Sequence, residues 1–122
     1  MTAEEIRDLC LSMPGSYEDY PFGPVPVCFR LQGRVFAQLY PDAERFMITL
    51  KCTRGMGEFY RSVYPGVVVR GYHCPAAQQP YWNTVVPNRI PEEELRMMIH
   101  HAYQTVLESL PKRVQAEIRK SC

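Results

Sequence analysis

Val27-Cys28-Phe29-Arg30-Leu31-Gln32-Gly33-Arg34-Val35-Phe36-Ala37-Gln38-Leu39, followed by Pro41-Asp42-Ala43-Glu44 and Phe46-Met47-Ile48-Thr49-Leu50-Lys51, is a run with a period of two. Val27, Phe29 and Leu31 alternate with Cys28 and Arg30. Val35, Ala37 and Leu39 resume the alternation. Ile48 and Leu50 then share a face with Phe46, opposite Met47, Thr49 and Lys51. Side chains of a strand point alternately to its two faces, so each segment reads as a strand with one apolar side. Gln32-Gly33 is a tight-turn signal and Pro41 to Glu44 makes the next turn. Three strands joined by short turns predict an antiparallel meander.

Outward from the meander the period becomes helical. Towards the N-terminus, Thr2 and Glu5 fit a capping box, in which each side chain satisfies a free backbone N–H at a helix start. Ile6, Leu9, Cys10 and Met13 follow at i, i+3, i+4 and i+7, and Pro14-Gly15 ends the helix. From Gly15 to Pro26 the chain reads as loop, with Pro21, Pro24 and Pro26 blocking regular structure. Towards the C-terminus, Thr53 to Tyr64 reads as a helix capped by Thr53, with Met56, Phe59, Tyr60 and Val63 on one stripe. Gly55 and Gly57 weaken it by about 1 kcal/mol each relative to Ala. Val67 to Tyr72 and Tyr81 to Val86 are β-rich runs separated by a proline-interrupted polar stretch, Cys74 to Pro80. The last long element is a helix opened by Pro91 at its first position and Glu92, Glu93 and Glu94 at the positive end of its dipole. Leu95, Met98, Ile99, Ala102 and Val106 form its apolar stripe, and after Pro111 a short basic turn or helix covers Lys112 to Lys120. The expected fold class is α+β, an antiparallel sheet of about five strands with helices packed on one face.

The bulk numbers bound the rest. At 122 residues the chain is expected to form one domain, residues 1–122, burying roughly two-thirds of its unfolded surface without disulfides. Five scattered cysteines with no CxxC pair suit a reducing compartment, and no run approaches the ~18 apolar residues of a membrane span. The N-terminus is acidic rather than basic, unlike a signal peptide. These features predict a cytoplasmic protein with no membrane partner. The net charge of +1 selects no partner, but its distribution is uneven. Residues 30–91 hold eight bases against three acids, and eleven of the fourteen basic residues are Arg, which suits planar recognition of phosphate. A solvated polar strand face is the simpler explanation of the same pattern.

Most catalytic signatures are absent: there is no GxGxxG, Walker loop, GxSxG elbow or HExxH. Arg54-Gly55-Met56-Gly57 follows a strand and resembles a phosphate-cradling turn only loosely. His73 and Cys74 with His100 or His101 are conceivable metal ligands, but adjacent helical histidines point about 100° apart, so only one could join. His73 and Cys74, as neighbours in an extended segment, point to opposite faces and make a poor nucleophile–base pair. Glu4, Glu5 and Asp8 could attract a hard cation, since Glu4 and Asp8 share a helix face, but a solvated face with dipole-favoured acids is the simpler reading. The cluster that carries chemistry is Lys51, Arg70, Tyr72, His73, Tyr81, Trp82 and Asn83, at strand ends in the positive region. Aromatic rings beside Arg and Lys on a sheet bind single-stranded nucleic acid by stacking bases and neutralising phosphates. The competing expectation is that Trp82 and Tyr72 pack in the core.

Several fragments together resemble the MmcQ/YjbR family: Cys10-Leu11-Ser12-Met13-Pro14-Gly15 leading to Glu18, Tyr20-Pro21-Phe22-Gly23, Val35-Phe36-Ala37, Leu50-Lys51-Cys52, Tyr64-Pro65-Gly66-Val67, Gly71-Tyr72-His73 and Trp82-Asn83-Thr84-Val85. The resemblance runs in order from Glu5 to about Leu110. It implies an α+β fold like that of bacterial frataxin, also described as a double-wing DNA-binding domain, and it brings no catalytic residues. The chain departs from the pattern at His100-His101-Ala102-Tyr103, where the family tends to have a Ser before the Tyr. It departs again at Ala76-Ala77-Gln78-Gln79-Pro80, which lacks the basic character common before the Trp-Asn pair. The expectation is a small non-enzymatic domain that binds DNA or acts as a regulator, with Lys51, Arg70, Tyr72, His73, Trp82 and Asn83 as contact residues. No catalytic residue, metal or cofactor is expected. The alternative is a module that binds a small molecule or protein partner around Tyr72 and Trp82, as a monomer or weak homodimer.

Overall fold

Residues 1–71 and 74–120 are described by the computed structural model of this chain. In chain order the elements are α1 (Ala3–Ser12), β1 (Ser16–Asp19), β2 (Val27–Leu31), β3 (Arg34–Tyr40), β4 (Met47–Lys51), α2 (Arg54–Val63), β5 (Val68–Arg70), β6 (Trp82–Val85), α3 (Glu92–Glu108) and α4 (Lys112–Lys120). The six strands form one antiparallel sheet in the order β1-β2-β3-β4-β6-β5. The class is therefore the α+β arrangement that the pattern predicts, and the meander β2-β3-β4 lies at its centre. At the β2–β3 turn Gln32 and Gly33 have φ of 51° and 79°. Two left-handed central residues make this the hairpin turn whose twist matches that of the strands.

β1 corrects the expectation of a loop from Gly15 to Pro26. Ser16 to Asp19 pairs with β2 over its whole length, Ser16 opposite Leu31 and Asp19 opposite Cys28. The segment has no apolar alternation, so its strand state is not visible locally. It is held instead by the backbone ladder and by two charged clasps to other elements. Arg7 on α1 donates from Nε and Nη2 to the two carboxylate oxygens of Glu18 at 2.7 and 2.6 Å. Arg30 Nε donates to Asp19 Oδ2 at 2.7 Å.

The register defines two faces. Val27, Phe29, Leu31, Ala37, Leu39, Ile48, Leu50, Val68 and Val85 join Ile6, Cys10 and Met13 of the α1 end, Tyr60 of α2, the stripe of α3 and Ile118 of α4 in one core. A bulge between β2 and β3 lets both Phe36 and Ala37 enter it, because Phe29 faces Ala37 while Arg30 faces Val35. Phe36 meets Tyr103 edge-on at 5.6 Å, and the Tyr103 hydroxyl donates to the Pro14 carbonyl at 2.5 Å, tying α3 to the end of α1. Each Leu, Ile or Phe buried here contributes about 1.5–3 kcal/mol relative to exposure. The helix stripe expected on α3 is buried in full, although Pro91 lies just before the helix rather than inside it. The capping box of α1 forms with both hydrogen bonds, Glu5 N–H to Thr2 Oγ1 and Thr2 N–H to Glu5 Oε1.

α2 departs from its expected stripe. Thr53 caps it, accepting from the Met56 N–H at 3.3 Å. Its buried positions are Gly57 and Tyr60, whereas Phe59 and Val63 are 55% and 46% exposed. The helix meets the sheet through a side that a hydrophobic pattern cannot register, because glycine has no side chain. Among the described residues no helix is long and apolar enough to cross a membrane.

Candidate functional site

Lys51 is the cross-strand partner of Trp82 where β4 meets β6. The pair continues the face that Thr49 and Thr84 occupy one step away, opposite the helical core. There Thr49 and Thr84 share a buried hydroxyl–hydroxyl hydrogen bond of 2.8 Å. The Lys51 ammonium lies 5.1 Å from the Trp82 ring centroid and 5.7 Å from that of Tyr81. Trp82 is half-buried and Tyr81 is 38% exposed, so the rings support the cation while keeping an edge in water. Cation–ring contacts of this kind stabilise by about 0.5–1 kcal/mol at exposed sites and so bias a flexible lysine towards the rings.

The structure separates other members of the sequence cluster from this pair. Arg70 and Asn83 are cross-strand partners of each other, so alternation along β6 places them on the opposite face from Trp82. Asn83 is only 3% exposed, and its amide is engaged on both sides. Its Oδ1 accepts from Arg61 Nη1 at 2.6 Å, and its Nδ2 donates to the Gly57 carbonyl at 3.2 Å. Asn83 thus fastens α2 to β6 rather than presenting itself to a ligand. Arg70 is exposed at the sheet edge. Tyr72 and His73 lie outside the described residues.

The fastening explains Gly57. A Cβ there would fall 2.8 Å from Cys52 Sγ, 3.0 Å from Arg61 Nη1 and 3.2 Å from the Pro80 carbonyl oxygen. The helix approaches the strand ends at backbone distance because position 57 is glycine. A second fastening comes from α3, where His101 Nε2 accepts the Thr53 N–H at 3.1 Å. That bond requires an unprotonated Nε2. Burial lowers the pKa of His101 below its ordinary value, with Glu108 acting in the opposite direction.

Among the described residues the thiols are held in their protonated form by burial. Burial pushes Cys10 up to about 12 and Cys52 up to about 11, Arg61 and Lys51 only partly opposing it at Cys52. Cys74 is raised by burial too, against the pull of Lys51. Of the acids in the N-terminal region, Glu5 is engaged in the helix cap, Glu18 with Arg7 and Asp19 with Arg30. Among the described residues no group of three or more His, Cys, Asp or Glu side chains is arranged to hold a metal ion.

Residues that the sequence reading did not select complete the outer face. Arg45 lies over the Tyr40 ring at 5.8 Å, a second cation–aromatic pair. Beside it a groove of about 340 Å³ is lined by Phe22, Pro26, Gln38, Tyr40, Cys74 and Pro75. Gln38 and Tyr40 were legible as outward positions of β3, since they alternate with Leu39. Phe22 sits in a proline-rich loop that carries no pattern. On the helical side, Met56, Tyr60, Met97, His100, His101 and Gln104 line an open groove of about 540 Å³ between α2 and α3.

The family model of YjbR matches residues 11–105, which takes in every strand and the Lys51–Trp82 pair. The chain belongs to the YjbR family. It is 28% identical over 117 residues to "Uncharacterized protein YbdF" of Escherichia coli O157:H7, covering 95% of this chain and 93% of that protein. Among solved structures, Deinococcus radiodurans protein DR2400, a DUF419 domain, superposes with a TM-score of 0.85 at 24% identity, over 96% of this chain and 87% of that one. A Pseudomonas syringae protein superposes with a TM-score of 0.68 at 18% identity, over 86% of this chain and 98% of that one. These likenesses establish the YjbR fold for the chain.

Proposed function

We propose that this YjbR-family protein is a non-enzymatic nucleic-acid-binding domain, with DNA as its first partner, and that it binds through the outer face around Lys51, Tyr81 and Trp82. The observation that carries the reading is the Lys51 ammonium held over two aromatic rings on the face away from the helices. A fixed cation neutralises a phosphate, and a neighbouring ring edge or face takes a base. Arg45 over Tyr40 repeats the arrangement on the same face. Arg70 is exposed on the adjoining edge strand, where it can reach a backbone that wraps the sheet end. The non-catalytic part of the reading is supported by buried thiols with raised pKa values and by a His101 whose Nε2 is committed to the Thr53 amide.

Trp82 is the single tryptophan of the chain, so its fluorescence reports directly on the site. Titration with labelled DNA, followed by anisotropy and by Trp82 quenching, is expected to show micromolar binding at low salt. If three cations each neutralise one phosphate, raising salt fourfold weakens binding by roughly one to two orders of magnitude. Lys51→Glu is expected to abolish both signals. Absence of binding at low salt, or binding indifferent to Lys51→Glu, overturns the reading.

The α2–α3 groove favours a second reading, a partner-binding module. Met97, which lines the groove together with Met56 and Tyr60, is 59% exposed. Large apolar side chains left together in water mark interaction surfaces. A self-association measurement comparing the native chain with Met97→Glu tests this reading independently of DNA.

A further inference from the structure

The groove on the outer face narrows the class of nucleic acid, and this step rests on the reading proposed above. Its floor is Gln38 and Tyr40 from β3, one wall is Phe22 and Pro26, and the other is Cys74 and Pro75. At about 340 Å³ it lies at the small end of sites that enclose a ligand. Duplex recognition by base contact needs a protein element that projects into a DNA groove. Here the protein surface is concave, and what enters it must project from the nucleic acid.

The lining chemistry suits a base. Phe22 is 72% exposed, the largest exposure among the large hydrophobic side chains of the described residues, and it lines the groove. Prolines 26 and 75 offer flat apolar surface. Gln38 carries a donor and an acceptor on one amide, the combination that reads a base edge. It stands beside Cys28, its cross-strand partner on β2. Cations stand on both sides of the groove. Arg45 lies over the ring of the lining residue Tyr40, and Lys51 acts electrostatically on the lining residue Cys74 while lying over Trp82. A sugar-phosphate backbone crossing from Arg45 to Lys51 passes over the groove, and Trp82 and Tyr81 receive the next base. Arg30, paired with Asp19, adds no net charge.

We infer that the groove between residues 20–26 and Cys74–Pro75 takes one unpaired nucleobase, so that the ligand is single-stranded rather than duplex nucleic acid.

The test uses the full chain and one mixed-sequence oligonucleotide, presented single-stranded and as a duplex with its complement, at low and at near-physiological salt. Anisotropy is read for the native protein, Phe22→Ala, Gln38→Ala and Lys51→Glu, with thermal melts confirming that each variant is folded. The expected result is single-strand binding at least tenfold tighter than duplex binding. Phe22→Ala is expected to weaken single-strand binding by roughly 5- to 100-fold, the range that loss of one base–aromatic stack brings. Phe22 is exposed enough that its removal tests the ligand rather than the fold. Duplex binding equal to or tighter than single-strand binding, sensitive to Lys51→Glu but with a strand preference indifferent to Phe22→Ala and Gln38→Ala, overturns this inference and leaves the broader reading standing. Mononucleotides that bind as tightly as the oligonucleotide also overturn it, in favour of a small-molecule site. Binding of neither strand form at low salt overturns both.

Discussion

α3 buries Leu95, Met98, Ile99, Ala102, Tyr103, Val106 and Leu107, whereas α2 buries only Gly57 and Tyr60 and leaves Phe59 and Val63 in water. Both helices pack on the same face of the same sheet, but α3 is held by area and α2 by fit. The fit consists of a backbone approach at Gly57, an amide clamp at Asn83 and a single hydrogen bond from Thr53 to His101. Area is redundant, since many side chains share the load. A latch made of a few contacts is not. The latch also stands directly behind Lys51, because β4 runs through Cys52 into the Thr53 cap, so its integrity sets where the candidate contact residues sit.

The largest expected effect tests the area-held side. Ile99→Ala should cost about 2–5 kcal/mol, since it removes buried methyl groups from the centre of the core and leaves a cavity. Denaturant unfolding measures this, and a loss under about 1 kcal/mol would contradict the packing described. Next comes Gly57→Ala. Helix propensity alone favours Ala by about 1 kcal/mol. Overpacking against Cys52 and the Pro80 carbonyl should reverse the sign and leave a net loss of about 1–3 kcal/mol. Gly55→Ala, which meets nothing within 4 Å, should instead gain up to about 1 kcal/mol. Equal signs for the two glycines would show that fit does not hold α2.

Asn83→Ala breaks the clamp and leaves the Arg61 guanidinium short of an acceptor. It already has a buried Nη2 that makes no hydrogen bond among the described residues. A loss of about 1–3 kcal/mol is expected, together with a red shift of Trp82 emission as the neighbouring strand end loosens. A smaller effect depends on pH. The pKa of His101 is lowered below its ordinary value of 6.5, so the folded state binds its proton less readily than the unfolded state. The stabilisation is therefore fully present above about 6.5 and is lost as pH falls from there through the lowered value. Melting temperatures between about pH 7.5 and pH 5.5 should decline for the native chain, and His101→Gln, which keeps an acceptor for Thr53 but does not titrate, should flatten the decline over that window. Glu5 and Glu18, whose pKa values are lowered by Thr2 and by Arg7, act only below 4.5 and do not mask it. Smallest of all, Phe59→Ser should change stability by less than about 0.5 kcal/mol, because a ring more than half in water has little burial to lose.

The same contrast explains what could be read without coordinates. The α3 stripe, the meander and the Thr2 box are local patterns of apolar spacing and capping, and they appear as expected. β1 was hidden because it carries no apolar alternation, and what holds it is non-local: the ladder to β2 and the clasps from Arg7 and Arg30, each eleven residues from its acidic partner. The face of α2 was misjudged because Gly57 scores as a weak helix residue when taken alone and as a contact surface only beside Cys52 and Pro80. Within the candidate site, Lys51 and Trp82 come together as cross-strand partners, which the alternation of β4 permits but does not dictate. Their sequence neighbours Asn83 and Arg70 fall on the other face, where the same alternation must put them. Tyr40, Arg45 and Phe22 were missed because the ring–cation pair spans a turn and the groove joins two loops far apart in sequence.

The outermost strands carry one more consequence. β1 has four residues and β5 three, against seven in the central β3. β1 also bears Glu18 and Asp19 and runs into Pro21, Pro24 and Pro26, and β5 ends on an exposed Arg70. An incoming chain that tried to extend the sheet would find few open backbone partners on either border, with charge at the end of each border strand and prolines beyond β1. The sheet is thus closed to growth by the brevity of its margins, and concentrated solutions of the folded protein should remain free of β-linked aggregates.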